Sequence, residues 1–248
     1  MAHVVGLTDV DDKGQEGLEL AYNNWLEGQA GLKQVIKDRL GHVVAEIRAI
    51  RPPKPGHDLQ ISLDKRIQYV AYRELKAGVE RYRADSGSVV VLDVKTGEIL
   101  AMVNWPSYNP NHRRSAQDGH ARNRAVTDLF EPGSTIKSFS MASVLSNSQF
   151  TPSSQIDTSP GWMIIAGKRI TDERNNGVMD LTKILQISSN MGMSKLILSQ
   201  PAENLWNTLH RVGFGQVTES NFPGERTGSL PHFKVWNPFV LATLSFGY

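Results

Sequence analysis

The chain has 248 residues, 40% of them apolar, and its 27 Lys and Arg set against 25 Asp and Glu give a formal charge of +2. That is enough for a substantial core, in one large domain or a domain with a smaller appendage. So balanced a charge argues against a nucleic-acid footprint or a polybasic membrane tail. The absence of cysteine excludes disulfides, thiol catalysis and cysteine metal sites, and leaves both reducing and oxidising compartments open. No run approaches the ~18 to 20 consecutive apolar residues of a membrane-spanning helix, and MAHVVGLTDVDDKG lacks a charged-then-apolar signal layout, so neither an anchor nor an export signal is expected within this sequence. The one basic cluster, His112, Arg113 and Arg114 with Arg122 and Arg124, reads as a solvated loop.

In chain order, Leu18, Ala21, Tyr22, Trp25 and Leu26 recur at helical spacing after the turn-rich Asp11-Asp12-Lys13-Gly14. Val35 then alternates with polar neighbours, Asp38 to Gly41 reads as a turn, and Val43 to Ile50 reads as the returning strand. Arg51-Pro52-Pro53-Lys54-Pro55-Gly56 is short of backbone donors and rich in fixed angles, so a boundary is expected there, with residues 1–54 in one module and 55–248 in another. His57 to Leu63 reads as a strand. Asp64 is placed to cap a helix whose apolar face would be Ile67, Val70, Ala71, Leu75, Val79 and Tyr82.

Ser88 to Val94 and Glu98 to Val103, rich in Val, Ile and Leu and joined by a short glycine-containing link, predict a hairpin. Trp105-Pro-Ser-Tyr-Asn-Pro-Asn111 ends it in loop chemistry, and an irregular stretch runs to Phe130. Helices are expected at Ser134 to Leu145, Leu181 to Ile187, Met191 to Leu198 and Ala202 to Val212, the last closed by Gly213 as a left-handed cap. There is no internal repeat or low-complexity tract. Helices and hairpins without regular strand-helix alternation imply an α+β fold.

A serine and a lysine three apart on a helix share a face, and a neutral lysine there can take the proton of the serine hydroxyl. Neutrality requires burial or a nearby cation. Two pairs have the spacing, Ser62-Leu-Asp-Lys65 and Ser134-Thr-Ile-Lys137, where roughly one is expected by chance. Ser62 lies at a predicted strand end, and Asp64 would hold Lys65 charged. Ser134 follows Pro132-Gly133, a tight turn into a helix, where backbone N–H groups and the dipole would favour a developing oxyanion. The same position also suits a plain N-cap, and geometry leaves both open.

Ser188-Ser189-Asn190 sits between two apolar helical runs. Ser188 and Asn190 could point into one cleft, the hydroxyl passing protons and the carboxamide gripping a peptide bond, or the triplet could simply break and cap a helix. Ser107-Tyr-Asn109, in a Pro-bracketed loop, shows the pattern is cheap. Lys95-Thr96-Gly97 lies within the predicted hairpin turn, where Gly97 supplies the permissive backbone angle.

Penicillin-recognising serine enzymes carry Ser-x-x-Lys, Ser-x-Asn and Lys-Thr-Gly in that order. Ser134, Ser188 and Asn190 obey its first two steps, whereas Ser62, Lys95 and Ser107 do not follow it. With VVGLTDVDDKGQEGLELAYNNWLEG, GSVVVLDVKTGEILAMVNWPSYNPN, NRAVTDLFEPGSTIKSF, FPGERTGSLP and LATLSFGY, the chain resembles the class B penicillin-binding proteins over essentially its whole length, most closely the septal transpeptidases of bacterial cell division. The resemblance implies the end of a pedestal, dimerisation-like module over 1–54, then an incomplete α+β transpeptidase domain of the serine β-lactamase-like kind.

It further implies that Ser134 attacks the penultimate D-alanine of a peptidoglycan stem peptide, that Lys137 takes its proton, that Ser188 relays a proton to the leaving D-alanine, and that Asn190 holds the substrate amide. β-Lactams would acylate Ser134, no cofactor or metal would take part, and other divisome membrane proteins would be partners at the periplasmic face of the inner membrane. No third motif follows Asn190 before Tyr248, so little turnover is expected of these 248 residues alone. Alternatives are a non-catalytic divisome scaffold or pseudoenzyme, and a serine β-lactamase or penicillin sensor. His210 and His232 read as structural, Gly213-Phe-Gly215 lacks the context of a dinucleotide loop, and Glu131 reads as a solvated charge at a helix start.

Overall fold

The computed structural model describes residues 1–116, 119–146 and 150–248, with backbone only at Arg113 and Arg114, whose side chains lie outside it. It divides into two compact units, Met1–Asp128 with Glu219–Glu225, and Leu129–Thr218 with Arg226–Tyr248. Among the described residues no helix is long and apolar enough to cross a membrane.

The first unit begins with α1 (Ala2–Val5), the small antiparallel pair β1 (Leu7–Thr8) and β2 (Gly14–Glu16), α2 (Gly17–Ala21) and α3 (Asn23–Leu26). The apolar spacing from Leu18 to Leu26 is thus shared between two short helices broken at Tyr22. A long hairpin follows, β3 (Leu32–Lys37) against β4 (Val43–Arg51), turned by Asp38, whose Oδ1 accepts from Leu40 N and His42 N. Residues 57–63 form no strand, contrary to the alternation expected there. They are held instead by single contacts: His57 N donates to Trp25 O, Trp25 Nε1 to Asp58 O, and Ser62 Oγ to Ile99 O.

Asp64 caps α4 (Lys65–Tyr82) by accepting from Arg66 N and Ile67 N. The helix packs on the hairpin of β5 (Gly87–Leu92) and β6 (Ile99–Trp105), but with a face rotated from the expected one. Val70 and Tyr82 are exposed, while polar Gln68 is 3% exposed. Gln68 turns inward because its carboxamide acts as a strand segment, Nε2 donating to Met102 O and Oε1 accepting from Met102 N, both at 2.8 Å. That satisfies backbone groups of β6 which burial would otherwise leave unpaired. Tyr72 meets the Trp105 ring edge-on at 5.8 Å, and Leu75 and Val79 close on Gly87, where a Cβ would come within 2.8 Å of Leu75. Short α5 (Arg124–Thr127) is tied to β6 through Asn104, which accepts from Ala125 N and donates to Asn123; Arg122 and Arg124 both pair with Asp128.

The second unit is built around α8 (Asn190–Leu198), six of whose residues are buried. Around it stand α6 (Lys137–Ser146), α7 (Leu181–Gln186), α9 (Ala202–Arg211) and α10 (Pro238–Leu244), with a core that includes Met141, Val144, Ile184, Met193, Leu196 and Leu205. Gly192 on α8 lets α7 approach, since a Cβ there would lie 2.7 Å from Ile184. Gly213 follows α9 with φ +96°, as its capping role requires. Two antiparallel pairs, β7 (Gln155–Asp157) with β10 (Val178–Asp180) and β8 (Trp162–Ile165) with β9 (Lys168–Thr171), complete the unit. The mixture of helices with antiparallel pairs is the expected α+β architecture.

Candidate active site

Ser134, Lys137, Ser188 and Asn190 all lie in the second unit. Ser134, Ser188 and Asn190 line one cleft of about 470 Å³. Lys137 is 1% exposed, and its Nζ donates to Ser188 O at 2.5 Å, Ser188 Oγ at 3.0 Å and Asn190 Oδ1 at 2.7 Å. Ser134 is not an N-cap. It is the second residue of a 3-10 turn, Gly133–Ile136, that runs into α6, and Pro132 precedes the turn without a capping side chain. Gly133 enters that turn at φ +56°, and its N–H donates to Gly247 O at 3.2 Å. Gly247, at φ +95°, presses on the turn so closely that a Cβ would lie 2.1 Å from Gly133 O. This support is invisible in the sequence, because nothing in Phe246-Gly247-Tyr248 marks a partner more than a hundred residues away.

The polar triplet acts as two helix ends in succession. Ser188 N donates to Leu185 O and Ser189 N to Ile184 O, the paired bonds that close a helix with a left-handed residue after its C-cap. Ser188 is that residue, at φ +59°, where glycine is usual. Its exposed side chain and its carbonyl are thereby both offered to Lys137. Ser189, 2% exposed, then caps α8, its Oγ accepting from Gly192 N at 2.9 Å. Ser189 thus caps α8, while Ser188 and Asn190 line the cleft.

Asp172 is a site residue that spacing could not find. Its Oδ1 accepts from Asn190 N at 2.7 Å and Met191 N at 3.0 Å, and its Oδ2 accepts from Ser189 Oγ at 2.5 Å. With Ser189 it satisfies the N–H groups of the first three residues of α8, where a negative charge also suits the helix dipole. Seventeen residues separate Asp172 from Ser189, and no short motif joins them.

Burial pushes the Lys137 ammonium down to about 8, and the Asp172 carboxylate pulls it upward against that. At pH 7 about a tenth of such a lysine is neutral and able to accept a proton, and among the described residues its Nζ bonds to Ser188 and Asn190 and not to Ser134. Asp172→Asn keeps the shape and removes the charge. The Lys137 midpoint is then expected to fall below about 8, read by an NMR titration of its side chain; an unchanged or higher midpoint would contradict this electrostatic account.

The competing residues are engaged elsewhere. Asp64 pairs with Arg66 at 2.9 Å and not with Lys65, because capping α4 turns its carboxylate toward the first helical turn; Ser62 Oγ donates to Ile99 O. In the β5–β6 hairpin, Asp93 Oδ1 accepts from Lys95 N and Thr96 N, Asp93 O accepts from Gly97 N, and Gly97 has φ +78°. Lys95-Thr96-Gly97 is therefore a turn. Asn109 Oδ1 accepts from Asn111 N in its own loop. Glu131 is exposed, and Trp206 stacks on His210 at 4.5 Å and lies 4.9 Å from His232.

A family model described as the penicillin binding protein transpeptidase domain matches residues 87–248, and one described as the penicillin-binding protein dimerisation domain matches residues 4–61. The chain is 43% identical over 247 residues to a probable peptidoglycan D,D-transpeptidase PbpC of Pseudomonas aeruginosa, covering 100% of this chain and 44% of that protein. It is 42% identical over 247 residues to the peptidoglycan D,D-transpeptidase FtsI of Escherichia coli K12, covering 100% of this chain and 42% of FtsI. The chain thus spans less than half the length of these relatives. Among solved structures, the transpeptidase domain of Burkholderia pseudomallei penicillin-binding protein 3 matches at TM-score 0.68 and 36% identity, over 78% of this chain and 54% of that one. A Burkholderia ambifaria structure described as a peptidoglycan glycosyltransferase matches at TM-score 0.68 and 38% identity, over 76% and 56%. With its transpeptidase match running over 87–248, well over half the sequence, this chain belongs to the penicillin-binding protein transpeptidase family.

Proposed function

We propose that the protein is a serine D,D-transpeptidase that cross-links peptidoglycan stem peptides during cell division and is acylated by β-lactams. The observation that carries this reading is the buried Lys137 amine, bonded to Ser188 Oγ, Ser188 O and Asn190 Oδ1 beside the cleft that Ser134 lines. In the first half-reaction Ser134 Oγ bonds to the carbonyl carbon of the penultimate D-alanine. Its proton passes to neutral Lys137 Nζ. The bond to the terminal D-alanine breaks, and the departing nitrogen takes a proton delivered from Lys137 through Ser188 Oγ. Asn190 holds the amide of the donor peptide. In the second half-reaction an amine of a neighbouring stem peptide attacks the ester, forms the cross-link and returns the proton to Ser134. A β-lactam follows the first half only, its ring amide opening on Ser134.

The same reading takes residues 1–54 as the end of a pedestal and 55–248 as part of the transpeptidase domain. It also places the working protein at the periplasmic face of the inner membrane among other division proteins, as the relatedness to FtsI supports. The test uses the protein as its gene encodes it, incubated with a penicillin and digested with trypsin. The peptide Ala125–Lys137, whose sole serine is Ser134, is expected to gain the mass of one intact penicillin. An adduct on any other peptide, or none, would sink the assignment.

A further inference from the structure

The wall Asp172–Gly177 lines the same cleft as Ser134 through Asp172, Glu173, Arg174 and Asn176. It is braced at both ends. Asp172 is tied to the start of α8, and its N–H donates to Gly161 O at 2.9 Å. Gly177 O accepts from both Thr158 N and Thr158 Oγ1 at 2.8 Å, and Thr158 is fully buried. Between these ends, Gly161 packs against Asn175, with room for no Cβ beyond 3.0 Å. Asn176 fixes the arginine from both sides, its Oδ1 accepting from Arg174 Nε at 3.2 Å and its Nδ2 donating to Arg174 O at 3.1 Å.

Two opposite charges are left over. Among the described residues the terminal guanidinium nitrogens of Arg174 and the carboxylate of Glu173 make no hydrogen bond or ion pair, with each other or with anything else. The other charges at the cleft are engaged, Lys137 by Ser188 and Asn190, and Asp172 by α8. A purely anionic ligand would gain from Arg174 and lose against Glu173, and a cationic one the reverse. Only a ligand bearing both charges gains from both. We propose that Glu173 and Arg174 form a specificity wall that reads a zwitterionic, amino-acid-like group, one ammonium and one carboxylate, on the acyl-donating side of the substrate. This rests on the serine acylation proposed above and adds to it a statement about which donor is preferred.

The test measures second-order acylation rates of the protein as its gene encodes it, with a penicillin whose acyl side chain ends in a free α-amino acid. The same penicillin is used with that amine acetylated, and again with that carboxylate converted to the amide. The zwitterionic form is expected to react about threefold faster than either blocked form, as exposed charge pairs allow, and the advantage should shrink at high salt. Arg174→Gln should erase the advantage over the amide form and Glu173→Gln the advantage over the acetylated form. Each ratio is read within one variant, so changes in absolute rate do not matter. Equal rates for the three forms in the parent protein, or ratios that survive both substitutions, overturn the zwitterion wall while leaving the serine chemistry standing. Failure of all three forms to acylate removes the serine chemistry and the wall with it.

Discussion

Lys137→Met is expected to slow acylation by a penicillin about a thousandfold, in the range that loss of a positioned general base produces. Methionine keeps the unbranched stem, one atom shorter, and removes the amine. Ser188 O, Ser188 Oγ and Asn190 Oδ1 lose their common donor, but Ser188 and Asn190 line an open cleft where water can replace it, so the fold should persist. The pH profile separates a base from a spacer. With Lys137 lowered to about 8, acylation by the parent protein should rise with pH through that value as the amine becomes neutral, and the residual rate of the variant should not.

Stability gives a second check with a definite sign. The folded protein disfavours protonated Lys137, whose ordinary value is 10.5, so this contribution opposes folding fully below about pH 8 and relaxes between about 8 and 10.5. The unfolding free energy of the variant minus that of the parent should therefore fall as pH climbs through that window. A variant that acylates within tenfold of the parent, with the same pH dependence, would remove Lys137 from the role of base.

Local signals carried well where one residue sets local geometry. Asp64 before α4, the turn at Asp38 and the Gly97 turn between β5 and β6 were all legible, because each acts on residues two to four positions away. Legibility failed where a distant partner decides. The inward face of α4 departs from its apolar spacing because a polar residue, Gln68, is the one β6 requires, and 57–63 alternates like a strand but finds no strand to pair with. The pairs β7–β10 and β8–β9 run only three or four residues each, too short for alternation to stand out.

The candidate site divides the same way. Ser134 and Lys137 share a short stretch of chain, and Ser188 and Asn190 another, so spacing makes all four candidates. Asp172 bonds to Asn190 and Gly247 to Gly133 from other parts of the chain, and Arg174 lines the same cleft, connections that only folding shows.

Ser188→Gly is expected to slow acylation by about a hundredfold and yet leave the protein more stable than Ser188→Ala. The two substitutions remove the same hydroxyl, so they lose the same contact with Lys137 Nζ and the same proton relay. They differ in the backbone. Ser188 sits at φ +59° to close α7, a conformation that costs a residue with a Cβ on the order of 1 kcal/mol and glycine almost nothing. Part of that gain is returned through the greater freedom of glycine in the unfolded chain, so the glycine variant should melt about 2 °C above the alanine variant. Equal melting points, or a lower one for glycine, would show that strain in the left-handed turn does not exceed the entropic cost of glycine and would overturn this account. The expected order would mean that the position favours glycine for folding and holds serine for chemistry, with Lys137 bonded to both its carbonyl and its hydroxyl as the reason.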